Sequence, residues 1–157
     1  MSLKSLLSGL SLGLAAAVAW AGGVLEIEHP WVRESPPNAS MMAGYLTLVN
    51  ETDRPLVLVG ASSPQFERVE FHRSRVEGGM ARMTRERELV VAPGKALRLA
   101  PGGRHLMLVK PKRALRAGDR VELTLRDAEG RSWQVVLPVR RQAPGMGAGH
   151  DDHGHAH

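Results

Sequence analysis

The chain of 157 residues contains no cysteine, and aromatic residues make up only 4% of it. Without cysteine it has no disulfide, no thiolate nucleophile or metal ligand, and no residue to carry the lipid of a lipoprotein. Beyond the first 25 residues, no apolar run approaches the about 18 residues of a membrane span. This excludes stable membrane insertion of the body of the chain. The net charge of +5 is too small to indicate an anionic partner.

The N-terminus has the pattern of an export signal. Met1 to Lys4 is a short basic segment, Leu6 to Val18 is mostly apolar, and Ala19-Trp20-Ala21 has the small residues of a cleavage site. We therefore predict that residues 1–21 are a signal peptide and that the protein works in the periplasm, away from nucleic acid. An uncleaved anchor is the alternative, which the short apolar segment disfavours.

The next part of the chain has the pattern of β-strands almost throughout. Short runs of apolar and β-branched residues alternate with turns rich in Pro, Gly, Asn and Asp, at a spacing of roughly ten residues. Eight or nine such runs, with no amphipathic helix, predict an all-β domain over residues 22–141, folded as an antiparallel sandwich or small barrel. Residues 142–157 change composition and predict a flexible, His-rich C-terminal tail.

The motifs of common enzymes are missing. The sequence has no cysteine nucleophile, no G-x-S-x-G, no H-E-x-x-H and no Gly-rich phosphate loop. Its carboxylates occupy turns or alternating strand positions beside arginines, a pattern typical of a solvated surface. We therefore predict a protein that is not an enzyme.

Histidine and methionine pairs are the candidates for binding chemistry. His105 and Met107 flank Leu106, so in a strand both side chains lie on the same face. His72 and Met83 flank the predicted hairpin turn at Glu77-Gly78-Gly79. Folding the chain about residues 77–78 pairs His72 with Met83. A bulge at the glycines would shift this pairing by one residue, and in either case the two residues are near neighbours.

Two imidazoles and two thioethers form a donor set suited to Cu(I), because thioether sulfur is soft and neutral. Zinc usually takes Cys, His or carboxylate, and a blue-copper centre requires a thiolate. Taken singly, each Met is also explained as core packing and each His as a hydrogen-bonded structural residue. The argument for ligation is the joint pattern His72-x₁₀-Met83-x₂₁-His105-x-Met107.

This pattern resembles the signature H-x₁₀-M-x₂₁-H-x-M of the periplasmic copper chaperones called PCu(A)C. The likeness extends from about Glu28 to Val139, and its other segments are Trp31-Val32-Arg33, Ala43-Gly44-Tyr45-Leu46-Thr47, Val69-Glu70-Phe71 and Leu99-Ala100-Pro101-Gly102-Gly103. The resemblance implies a cupredoxin-like β-sandwich that binds one Cu(I) through His72, Met83, His105 and Met107. It also implies delivery of copper to a partner: the copper A centre of cytochrome c oxidase, a Sco-type thiol protein, or both.

The tail adds a second metal-binding prediction. Imidazoles with carboxylate oxygens suit Cu(II), and the tail residues His150, His153, His155 and His157 are its candidate ligands, together with two aspartates. Two other functions stay open: a general periplasmic buffer for copper, zinc or nickel acting mainly through the tail, and a structural β-sandwich.

Overall fold

The computed structural model describes residues 25–144, which form ten β-strands. The predicted signal peptide and the four tail histidines lie outside these residues. The strands are β1 (Leu25–Arg33), β2 (Met41–Asn50), β3 (Leu56–Ser62), β4 (Phe66–Glu77), β5 (Met80–Glu86), β6 (Leu89–Val91), β7 (Ala96–Leu99), β8 (Arg104–Pro111), β9 (Arg120–Asp127) and β10 (Ser132–Arg140).

Seven strands close into a barrel. They follow the order β4, β8, β2, β1, β10, β9, β3, and the pairing of Ala61 with Val69 joins β3 back to β4. Only the β1–β10 pair is parallel among the described strands. The predicted all-β architecture is confirmed. The described part of the chain has no helix long and apolar enough to cross a bilayer.

The barrel forms because the strands alternate apolar and polar residues. In β9, Val121, Leu123 and Leu125 are buried while Glu122 faces outward. Leucines from several strands meet in the interior in the same way. Each buried leucine contributes about 1.5–3 kcal/mol relative to an exposed one, so this interior holds the strands in register.

Strand β5 is the returning arm of the predicted hairpin, although it is not among the apolar runs that predict the other strands. All but the last of its residues are exposed, so it shows no apolar alternation. Among the strands of residues 25–144 it pairs only with β4, and it forms one edge of the sheet. Backbone pairing with β4 and a favourable turn therefore define this strand.

The β4–β5 hairpin has a different register from the predicted one. Gly78 and Gly79 form a two-residue turn with φ of 59° and 78°, and Glu77 pairs with Met80. Positive φ at both positions is the signature of a type I′ turn, which glycine adopts at the lowest cost. The predicted pairing of His72 with Met83 is therefore wrong by two residues.

A bulge in β1 sets which side chains face outward near the site. The register shifts between Glu28 and Trp31, where His29 has a φ of 50°. Because side chains alternate along a strand, the extra residue reverses the pattern after it. Trp31 consequently lies opposite Tyr45 on the outer face, while Val32 enters the core.

Candidate metal site

The two histidines of the motif are direct neighbours. His72 in β4 pairs with His105 in β8, and their ring centroids are 5.9 Å apart. Directly opposite residues of an antiparallel pair share a face, so both imidazoles lie on the outer face of the barrel. Their neighbours Phe71 and Leu106 face the core instead.

The two methionines lie on the same face as the histidines. Met107 follows His105 by two residues along β8. Met83 pairs with Ser74, which follows His72 by two residues, so Met83 is diagonal to His72. An error of two residues in the predicted register leaves Met83 on this face, because side-chain direction repeats every two residues. The structure thus places all four predicted ligands on one face of three adjacent strands.

The four side chains differ in their exposure to solvent. His105 and Met107 are buried, at 5% and 8% exposed, and the His72 side chain is 16% exposed. Met83 is 53% exposed because it lies on the edge strand. The site has three covered donors and one donor that reaches the solvent.

His105 is fixed by a backbone group. Its Nδ1 lies 3.1 Å from the carbonyl oxygen of Gly103, which also accepts a hydrogen bond from the Ser74 N–H. An acceptor at Nδ1 favours the proton there and leaves Nε2 with its lone pair. Burial lowers the pKa of His105 below its usual value, although the Gly103 hydrogen bond opposes this shift. The imidazole is therefore neutral near pH 7, as metal binding requires.

Glu70 is a residue of this site that sequence reasoning missed. It pairs with Met107 across the strands, and its Oε2 lies 2.8 Å from Nε2 of His72. Its Oε1 accepts a hydrogen bond from Nε of Arg68 at 2.9 Å and lies 3.5 Å from a guanidinium nitrogen of Arg85. The His72 hydrogen bond, followed by that of Arg68, lowers the pKa of Glu70. The available signal was its position two residues before His72, which places both side chains on one face.

An aromatic cluster borders the site. The ring centroids of Trp31 and Tyr45 are 4.9 Å apart, and Tyr45 lies 6.5 Å from the His105 ring. The guanidinium of Arg33 lies 5.9 Å from the Trp31 ring centroid. Both aromatic side chains are buried, yet they pack on the outer face rather than in the main core. Tyr45 lies beside His105, and Trp31 packs on Tyr45.

The donor set fits a soft cation better than a hard one. Within residues 25–144, no three His, Cys, Asp or Glu side chains gather as a zinc or calcium site would need. The four predicted ligands instead offer two imidazole nitrogens and two thioether sulfurs. Such a combination favours Cu(I).

Comparison with known proteins gives a family match over most of the described chain. The family model described as "Putative lipoprotein LpqE-like" matches residues 25–139. A curated relative named "Putative lipoprotein Lxx21020", from Leifsonia xyli subsp. xyli, is 30% identical over 139 residues, which cover 85% of this chain and 82% of the relative.

Two solved structures resemble the barrel. The copper-bound PCuAC domain from PmoF2 is 29% identical with a TM-score of 0.65, over 76% of this chain and 95% of that domain. The solution structure of CuI-DR1885 from Deinococcus radiodurans is 34% identical with a TM-score of 0.59, over 81% and 83% of the two chains. These neighbours confirm the expected cupredoxin-like β fold.

Proposed function

The chain belongs to the LpqE-like family, and from that premise we propose that it is an exported copper chaperone. Four neutral side chains on the outer face of the barrel bind its cargo, one Cu(I) ion: His72, Met83, His105 and Met107. The observation that carries this proposal is that two imidazoles and two thioethers from three strands lie on one face. The names of the neighbouring structures, which state bound copper in one and CuI in another, support it.

The chemistry of the donors favours transfer of the metal. Neutral thioethers and neutral imidazoles bind Cu(I) without releasing protons near pH 7. Because Met83 is half exposed on an edge strand, a thiolate of an acceptor protein can replace it first. The buried His105 and Met107 hold the ion until the second ligand of the acceptor arrives.

The acceptor in this proposal is the copper A centre of cytochrome c oxidase, a Sco-type thiol protein, or both. Each has thiolate ligands, which bind Cu(I) more strongly than thioethers and so give the transfer a direction. Export by the predicted signal peptide would bring the protein to the periplasm, where such acceptors are found. Export of this protein is supported by the printed names of the matching family and of its Leifsonia relative, because both names describe lipoproteins, which are exported proteins.

The tail has a separate role in the proposal. His150, His153, His155 and His157 bind Cu(II) together with neighbouring carboxylates, because imidazole and oxygen donors suit the oxidised ion. The alternative function is a general metal buffer in which this tail dominates and zinc or nickel binds as well as copper. The density of histidine in the last eight residues is the observation that favours it.

Metal selectivity separates the two functions. The chain lacking residues 1–21 is titrated with Cu(I), Cu(II) and Zn(II), alongside a form that ends after Pro144. A chaperone binds one Cu(I) in both forms and passes it to an isolated copper A domain, which is separated and analysed for copper. If the protein is a metal buffer instead, the full-length form binds divalent ions through the tail, and the form that ends after Pro144 binds no Cu(I).

A further inference from the structure

Glu70 connects the two strands that carry His72 and Met83. Its Oε2 contacts the His72 ring from two residues away on β4. Its Oε1 is shared by Arg68 on β4 and by Arg85 on β5, and Arg85 lies directly opposite His72. The side chain of Glu70 is only 13% exposed, so this carboxylate is enclosed by its partners.

The hydrogen bond determines which nitrogen of His72 carries the proton. A carboxylate held by two guanidinium groups accepts hydrogen bonds and has none to donate. The Nε2 of His72 must therefore be the protonated nitrogen, which leaves the lone pair of a neutral imidazole on Nδ1. That Nδ1 is buried and has no hydrogen-bond partner among the described residues. A buried polar atom without a partner is rare in a folded protein and calls for a ligand.

The opposite histidine has the reverse arrangement. The Gly103 carbonyl holds the proton of His105 on Nδ1, so its free lone pair is on Nε2. The two imidazoles are direct neighbours in the ladder, and each has one nitrogen engaged and one available. The site is therefore organised before any metal arrives.

We propose that Glu70 is a positioning residue for copper: it fixes the His72 tautomer so that Nδ1 of His72 and Nε2 of His105 bind the ion. This inference rests on the proposed copper-binding function. Carboxylates that accept the second N–H of a ligating histidine orient the ring and raise its basicity as a ligand. Through Arg85, Glu70 also ties β5, and with it Met83, to the histidine pair.

The tautomer is measured directly in the copper-free protein. Long-range ¹H–¹⁵N correlation spectra of ¹⁵N-labelled protein distinguish protonated from unprotonated ring nitrogens. We expect His72 to be protonated at Nε2 and His105 at Nδ1. In Glu70→Ala, His72 should become a mixture of the two tautomers while His105 keeps its own. A His72 ring protonated at Nδ1 in the native protein would overturn the inference.

Cu(I) affinity is then measured by competition with a chromophoric chelator. The Glu70→Ala variant should bind Cu(I) about 10–100-fold more weakly. Glu70→Gln, which keeps an oxygen acceptor but loses the charge, should lie between Glu70→Ala and the native protein. Glu67→Gln is the matched control: Glu67 lies on β4 with Glu70, forms ion pairs with Arg68 and with Lys110 of β8, and has no hydrogen bond to His72. Its affinity should equal that of the native protein.

The outcomes separate this inference from the proposed function. A native protein that binds no Cu(I) contradicts the function, and the tautomer of its His72 still tests the hydrogen-bond assignment. A native protein that binds Cu(I) no more tightly than Glu70→Ala contradicts the positioning role alone. The amide spectrum of each variant checks that the barrel is intact, and Glu70→Gln provides the test if Glu70→Ala disturbs the hairpin.

Discussion

His72 and His105 lie directly opposite each other on neighbouring strands, with ring centroids 5.9 Å apart. This pairing is set by the backbone hydrogen bonds of β4 and β8, two strands of the closed barrel. Met83 is held less firmly than the two histidines, because its strand β5 is a hairpin arm that pairs with β4 alone among the described strands. The histidine pair is therefore the fixed part of the site, and the position of Met83 depends on the hairpin.

The first prediction concerns the exposed thioether. Met83→Ile keeps an apolar side chain of similar size at a half-exposed position, so the free energy of unfolding should change by less than about 1.5 kcal/mol. Cu(I) affinity should fall tenfold or more, equivalent to about 1.4 kcal/mol or more, because a soft donor is lost. Chelator competition measures the affinity.

Met80→Ile is the matched control for that variant. Met80 lies on the same strand, is 61% exposed, and pairs with Glu77 on the opposite face of the hairpin. Its substitution should leave Cu(I) affinity unchanged. Equal effects of the two substitutions would mean that Met83 is not a ligand.

The second prediction concerns the hairpin turn. Gly79 has a φ of 78°, and a Cβ added there would meet no atom within 4 Å. Gly79→Ala should therefore destabilise the turn only through the cost of a left-handed backbone conformation, about 1–2 kcal/mol. That cost falls on the hairpin that carries Met83, and we expect weaker Cu(I) binding. Gly130, in the turn between β9 and β10, has a φ of 85°. Gly130→Ala is therefore the control: it should reduce stability without changing Cu(I) affinity. Chemical unfolding and chelator competition on both variants test this.

Much of the fold was predictable because its signal is local. The alternation in strands such as β9 and the Pro/Gly turns identify an all-β domain without any long-range information. Strand β5 carries no such signal, since its exposed residues alternate in neither polarity nor size. The bulge at His29, which turns Trp31 outward, depends on strand pairing and has no signature in the sequence.

The site was predictable in its ligands but not in its supporting contacts. The spacing of His105 and Met107 fixes a common face, and even a two-residue error in the hairpin register keeps Met83 on the correct side. The sequence pattern places Glu70 among the solvated surface charges, because carboxylates beside arginines in strands usually face solvent. Its role depends on Arg85 arriving from β5, and that contact depends on the actual register of the hairpin.

The third prediction concerns pH. Burial lowers the pKa of His105 in the folded protein below its unfolded value of about 6.5. Between these two values the unfolded chain binds the extra proton, so acid favours unfolding. Copper-free protein should therefore lose stability as the pH falls from about 6.5 through the folded pKa of His105. Denaturation at several pH values should show that His105→Gln loses less unfolding free energy on acidification than the native protein. An equal loss in both proteins would show that groups other than His105 cause it.

The fourth prediction concerns the tail. A chain that ends after Pro144 lacks His150, His153, His155 and His157 but keeps the ten strands that the structure describes. It should lose most Cu(II) binding at pH 7 and keep Cu(I) binding at the barrel. In the full chain, Cu(II) binding should fade below about pH 6, because the reference pKa of histidine is about 6.5 and the imidazole must be neutral to bind metal. Calorimetric titration tests this, and full Cu(II) capacity in the shortened chain would show that the tail is not its site.

X-ray absorption at the copper edge, on the chain ending after Pro144 and loaded with one Cu(I), tests the central claim most directly. Without the tail histidines, the signal comes from copper held by the barrel. We predict a Cu(I) edge and a first shell that contains both nitrogen and sulfur scatterers, with the sulfur contribution reduced in Met83→Ile. A shell with no sulfur in protein carrying one Cu(I) would contradict the assignment of His72, Met83, His105 and Met107 as the copper ligands.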